Sequence, residues 1–143
     1  KEMVMSRERS EEVMRRYLTE VLMERKLEVI DEIAAEDMWD HTQPGPGRDG
    51  LVRHAGGFLE MLPEIRIVIN HIVANEDTVV GIWTWVGTPR SEFMGIPLGS
   101  EVECNVTSIF KIADGLLADY SLICAAKNTS SATYQGGFAT LVQ

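Results

Sequence analysis

The stretch Glu101–Ala125, EVECNVTSIFKIADGLLADYSLICA, reads as two strands joined by a tight turn. In its first half Val102, Cys104, Val106, Ser108, Phe110 and Ile112 are mostly apolar, while Glu101, Glu103, Asn105, Thr107 and Lys111 are polar. Successive side chains of a strand point to opposite faces, so this alternation gives one buried face and one wetted face. Ala113-Asp114-Gly115 supplies the turn. The second half sets Leu116, Ala118, Tyr120, Leu122 and Cys124 on one face and Asp119 and Ser121 on the other. Ser108 is then an inward hydroxyl on an apolar face, and Tyr120 joins it inside.

Upstream, two more runs carry the same period of two, roughly Glu64 to Ala74 and Thr78 to Thr88, with Asn75-Glu76-Asp77 as the turn between them. Further toward the N-terminus the period becomes helical. Ser10, followed by Glu11 and Glu12, is a plausible helix start, and Val13, Met14, Tyr17, Leu18, Val21 and Leu22 form one stripe. A short helix is predicted from about Leu27 to Ala35, then an extended piece over Glu36 to Thr42 leading into a Pro/Gly loop. Asp49 can cap a third helix, whose stripe is Leu51, Ala55, Phe58, Leu59 and Leu62 before Pro63 stops it. Helices first and long antiparallel strands afterwards is the α+β pattern, in which a curved sheet folded around its helices encloses a pocket. The tail from Lys127 to Gln143 has weak strand character and stays unassigned.

The chain's 143 residues suit one domain with one core, and 45% hydrophobic with 24% charged residues is ordinary globular composition. A formal net charge of −9 and the absence of a basic patch argue against a nucleic-acid partner. No apolar run reaches membrane-spanning length, so no membrane partner is expected and a cytoplasmic protein is the default. Cys104 and Cys124 have no metal-ligand spacing and make no disulfide framework, and no metal is expected. The glycines of PGPGRDG follow no strand in the way a phosphate loop does, and no Gly-X-Ser-X-Gly elbow occurs.

The order helix, helix, DMWDHT, Pro/Gly loop, helix ending LP, then VVGIWTWVGT, EFMGIPLGSEVE and SIFKIADGLL resembles the SnoaL-like polyketide cyclase group of the nuclear transport factor 2-like superfamily. The most specific pieces are Phe93-Met94-Gly95-Ile96-Pro97 and Phe110-Lys111-Ile112-Ala113-Asp114-Gly115. The resemblance implies a cone of curved antiparallel sheet with helices closing its wide end around an apolar pocket, and a homodimer formed through the outer face. It implies no cofactor. The superfamily holds cyclases, isomerases, epoxide hydrolases and binding proteins, so each role must be checked on this chain's residues.

The Arg and Asp that epoxide hydrolases carry on a middle strand match Trp83 and Trp85 here. The Asp and His of the aromatic-polyketide cyclases match Leu122 and Ser108. Against the ketosteroid isomerases, Tyr17 resembles the oxyanion donor and His41, with Asp40 beside it, resembles the base before the loop.

On the residues themselves, histidine is the side-chain type suited to moving protons near neutral pH, which makes His41 the expected proton carrier. Adjacent residues of an extended segment face opposite ways, so with His41 inside, Asp40 is expected to look outward. His54 and His71 are expected at the surface. Tyr17 and Ser108 complete the expected catalytic set. Trp39, Trp83, Trp85, Met94, Tyr120 and Leu122 are the expected substrate wall, although Trp83 and Trp85 would equally serve as plain core. The expected activity is a cofactor-independent cyclase or isomerase of natural-product biosynthesis acting on an apolar small molecule. A binding protein of the same fold is the alternative, and an epoxide hydrolase a third.

Overall fold

The structure, a computed structural model, describes residues 2–130 and 136–141. Helix α1 (Glu2–Arg16) runs into a π-helical turn (Tyr17–Met23), and a 3-10 turn (Leu27–Val29) leads to the short α2 (Ile30–Ile33). Strand β1 (Ala34–Asp40), helix α3 (Arg48–Met61) and strands β2 (Ile65–Ala74), β3 (Thr78–Gly87), β4 (Val102–Ala113), β5 (Leu116–Asn128) and β6 (Gly136–Leu141) follow. The expected start at Ser10 is corrected: Ser10 lies inside α1, fully buried, and its hydroxyl donates to the Ser6 carbonyl at 3.0 Å, one turn back. Asp49 is likewise in the first turn of α3 rather than at its cap, a place held by Gly47.

The sheet order is β1-β5-β4-β3-β2, with β6 on the same edge of β5 as β1. β2, β3, β4 and β5 form the expected antiparallel meander, but β1 joins β5 in parallel, which makes the sheet mixed. The free edge of β5 is shared end to end: Leu117, Asp119 and Tyr120 face β1, and Leu122 to Lys127 face β6. Within the tail left unassigned from sequence, the six residues Gly136–Leu141 close this edge.

The β4–β5 turn has positive φ at both Asp114 (52°) and Gly115 (74°), the type I′ geometry that matches strand twist. Beyond it the pairing slips, from Ile112 opposite Leu117 to Lys111 opposite Asp119. Ala118 is thus a bulge, and it reverses the expected alternation: Leu117 is buried and Leu116 is not, whereas Tyr120 and Leu122 point inward as predicted. A second slip between Ile69 and His71 lies in β2. Both bend the sheet around the helices.

Where β3 ends the backbones come close. A Cβ on Gly87 would stand 2.9 Å from the Glu64 carbonyl oxygen and 3.0 Å from Leu62 Cδ2. Neither neighbour can yield, since one is backbone and the other belongs to a fully buried residue. Gly87→Ala is expected to lower stability by about 1–3 kcal/mol, read as a reduced urea midpoint at unchanged slope.

Candidate active site

A cavity of about 260 Å³ lies between the concave face of the sheet, α3 and the π-helical turn. Its walls are apolar and aromatic: Leu22, Ala55, Phe58, Trp83, Trp85, Phe93, Met94, Val106 and Leu122, with both cysteines. Phe58 meets Trp83 and Trp85 edge-on at 6.0 and 5.7 Å, and Phe93 meets Trp85 at 5.4 Å. Met94 reaches the wall from a turn closed by Ile96 N–H donating to the Phe93 carbonyl, with φ of 50° at Met94 itself. A methionine in the left-handed region is uncommon, and the turn holds it there.

The polar groups on this wall are His54, Tyr17 and Tyr120. β1 sends Met38 and Asp40 inward, both fully buried, and Trp39 and His41 to the other face. Asp40 Oδ2 accepts from His54 Nδ1 at 2.7 Å, while Oδ1 accepts from the Thr42 amide at 2.9 Å and the Thr42 hydroxyl at 2.7 Å. Three donors thus satisfy a carboxylate that water cannot reach. With Nδ1 donating to Asp40, the neutral imidazole of His54 carries its lone pair on Nε2. Its ring stacks on Tyr120 at 5.7 Å.

The expectation for the Asp40–His41 pair is therefore reversed. The two side chains do part to opposite faces, but Asp40 is the inward one. His41 does not line the cavity; it packs on Trp39 at 4.6 Å, and its Nε2 lies 2.9 Å from Asp119 Oδ1. That distance suits an ion pair, but the angle is not that of a hydrogen bond, so Nε2 has no bonded partner among the described residues. Trp39 is also outside the cavity, its indole N–H donating to the Gln43 carbonyl at 3.3 Å. His54, expected at the surface, is the histidine in the wall.

Of the residues singled out from sequence, Tyr17, Trp83, Trp85, Met94, Tyr120 and Leu122 line the cavity. Ser108 is fully buried behind the wall and reaches it through Tyr120, whose hydroxyl is 2.9 Å away. Tyr17 packs edge-on to Phe110 and Tyr120 at 5.3 and 6.2 Å. Burial holds the Tyr17 hydroxyl well above the usual tyrosine range, and the neighbouring Tyr120 and Asp40 add to this. Burial raises Tyr120 too, against the hydrogen bond from Ser108. Both phenols are neutral donors at ordinary pH.

Among the described residues no three His, Cys, Asp or Glu side chains gather as a metal site, and no helix is long and apolar enough to cross a membrane.

A family profile described as SnoaL-like polyketide cyclase matches residues 12–124. Among solved structures, TsrD from Streptomyces laurentii superposes with a TM-score of 0.69 at 20% identity, covering 81% of this chain and 87% of that one. A SnoaL-like polyketide cyclase from Agrobacterium tumefaciens gives 0.67 at 16% identity, covering 76% and 84%. IdmH from Streptomyces antibioticus gives 0.61 at 24% identity, covering 75% and 86%. At these identities the superpositions speak for the fold alone. No curated protein matches the chain significantly by sequence.

Proposed function

Because the chain belongs to the SnoaL-like polyketide cyclase family, we propose that it is a cofactor-independent cyclase or isomerase of natural-product biosynthesis whose proton carrier is His54. The observation that carries this reading is the buried Asp40 bonded at 2.7 Å to a histidine in the wall of an aromatic cavity. Asp40 fixes the ring and its tautomer, and Nε2 takes a proton from a carbon next to a carbonyl. The tyrosine hydroxyls hold the enolate oxygen. The enolate carbon then attacks a second carbonyl of the folded substrate, and the new alkoxide recovers the proton from His54. No atom is gained or lost overall. The aromatic wall supports the folded conformer, and positioning supplies much of the rate of a ring closure.

Incubating the protein with 2-tetralone in heavy water and following the α-protons by NMR tests the reading. Saturable acceleration of exchange supports it, and tight binding without exchange would instead favour a non-catalytic carrier. The carrier reading has its own support in the scarcity of polar groups on the wall. An epoxide hydrolase has less, since Trp83 and Trp85 occupy the β3 positions that match that group's Arg and Asp. Pairing of two copies through the outer sheet face, where Val68, Val73 and Ile82 are exposed, belongs to the same proposal. Sedimentation at several concentrations would show a monomer if it is wrong.

A further inference from the structure

A chain of hydrogen bonds behind the cavity wall has a direction. Trp83 Nε1 can only donate, and it lies 3.0 Å from Ser108 Oγ. Ser108 Oγ in turn lies 2.9 Å from the Tyr120 hydroxyl, where geometry alone permits either group to donate. Counting protons decides between them. Ser108 is fully buried, and among the described residues its hydroxyl bonds these two side chains. If Tyr120 donated to Ser108, the serine proton would have no acceptor among the described residues, because the indole cannot accept. If Ser108 donates to Tyr120, each of the three groups behind the wall is satisfied, and the phenol proton is left over. Tyr120 lines the cavity, so that proton is available there.

The surroundings restrict what can meet it. Among the described residues no Lys, Arg, Asp or Glu is in the wall, and the Asp40 carboxylate stands behind His54. A ligand anion would find no countercharge and a like charge close by. The flat aromatic faces of Phe58, Trp83 and Trp85 favour a flat ligand.

We infer that Trp83 and Ser108 lock Tyr120 as a hydrogen-bond donor to the cavity, so that this end of the site takes the carbonyl oxygen of a neutral, flat ketone. The inference rests on the cavity being the substrate site proposed above, but it does not depend on turnover. Tyr120 touches the ligand; Ser108 and Trp83 are positioning residues that act through it.

Infrared difference spectra of carbonyl-¹³C 2-tetralone bound to the protein test it. In the wild type the carbonyl stretch moves to lower frequency than in alkane solvent. Tyr120→Phe returns most of that shift and weakens ketone binding about ten-fold, as expected for one lost hydrogen bond. Ser108→Ala gives a smaller shift than wild type, since Tyr120 is no longer polarised from behind. A bound band at the alkane frequency, no bound band at saturating ketone, or a shift that survives Tyr120→Phe overturns the inference. A larger shift in Ser108→Ala overturns it as well, because that result means Tyr120 had been donating to Ser108. His54→Ala should keep the shift. A shifted carbonyl without α-proton exchange would therefore defeat the proton-transfer reading and leave this one standing.

Discussion

His54→Ala is expected to lower the rate of α-proton exchange on bound 2-tetralone by about 10²–10⁴-fold, the usual contribution of a placed general base. Ketone affinity should stay within a few-fold, because the apolar wall is left in place. Asp40→Asn should cost at least as much, about 10³-fold or more, through a different route. The amide can still accept from Thr42 through its oxygen, but its nitrogen then faces His54 Nδ1 and donates to it. Nδ1 must become the acceptor, the ring proton moves to Nε2, and the cavity meets an N–H where it had a lone pair. Asn is close in size and neutral, so the fold should survive. Asp40→Ala is a poorer probe, since it strands the Thr42 amide and hydroxyl that now bond Oδ1 at 2.9 and 2.7 Å. If His41→Gln abolished exchange while His54→Ala did not, the assignment made from sequence would stand and the Asp40–His54 dyad would not.

That the sequence reading set His41 rather than His54 at the cavity is a matter of parity and of spacing. Along β1, Met38 and Asp40 are two apart and share a face. Met38 is the apolar member of the pair, so the inward face already carried Asp40 and not His41. On α3, His54 stands three residues after Leu51 and four before Phe58, at the border of the stripe that also holds Ala55. A stripe of Leu51, Ala55, Phe58, Leu59 and Leu62 turns His54 away from its face, although a histidine at the border of an apolar stripe is a reason to look for its partner. The strand period of β3 and β4 was fully legible, which is why Trp83, Trp85 and Ser108 fell where expected. The bulge at Ala118 was not legible, because it depends on how β5 pairs with two different neighbours rather than on any local run. The parallel β1–β5 pairing and the docking of β6 were hidden for the same reason: both are choices of partner between segments far apart in sequence. Tyr17 sits where α1 widens into the π-helical turn, a change of pitch that the apolar spacing of Val13 to Leu22 did not betray.

Alkaline conditions are expected to unfold the protein steeply, because three groups at the cavity are held protonated by the fold. Tyr17 is raised chiefly by burial, then by Tyr120 and Asp40. Tyr120 is raised by burial, with Asp40 and Cys124 adding to it. The Cys104 thiol is raised first by its contact with the Cys124 thiol and then by burial. In the unfolded chain the thiol ionises near pH ~8.5 and the phenols near pH ~10. Below those values both states hold the same protons, and the stability these groups confer is fully present. Above them the unfolded chain loses protons that the native state keeps, so the unfolded state is favoured and stability falls until the raised native values are reached. Each group then removes about 1.4 kcal/mol per pH unit, so all three together remove roughly 4 kcal/mol per unit once pH passes ~10. Against a total of about 5–15 kcal/mol, that slope unfolds the domain within a few pH units. Urea melts at a series of pH values would show the decline begin with the thiol and steepen with the phenols. Tyr17→Phe should cost stability at neutral pH only to the extent of its packing, and should flatten the alkaline slope by one proton. Tyr17 and Tyr120 are two of the chain's three tyrosines. At least two thirds of the tyrosinate absorbance should therefore appear together with the loss of native circular dichroism. Absorbance from all three rising while the native signal persists would show that the cavity admits hydroxide, and that its tyrosines are not sealed as the fold arranges them.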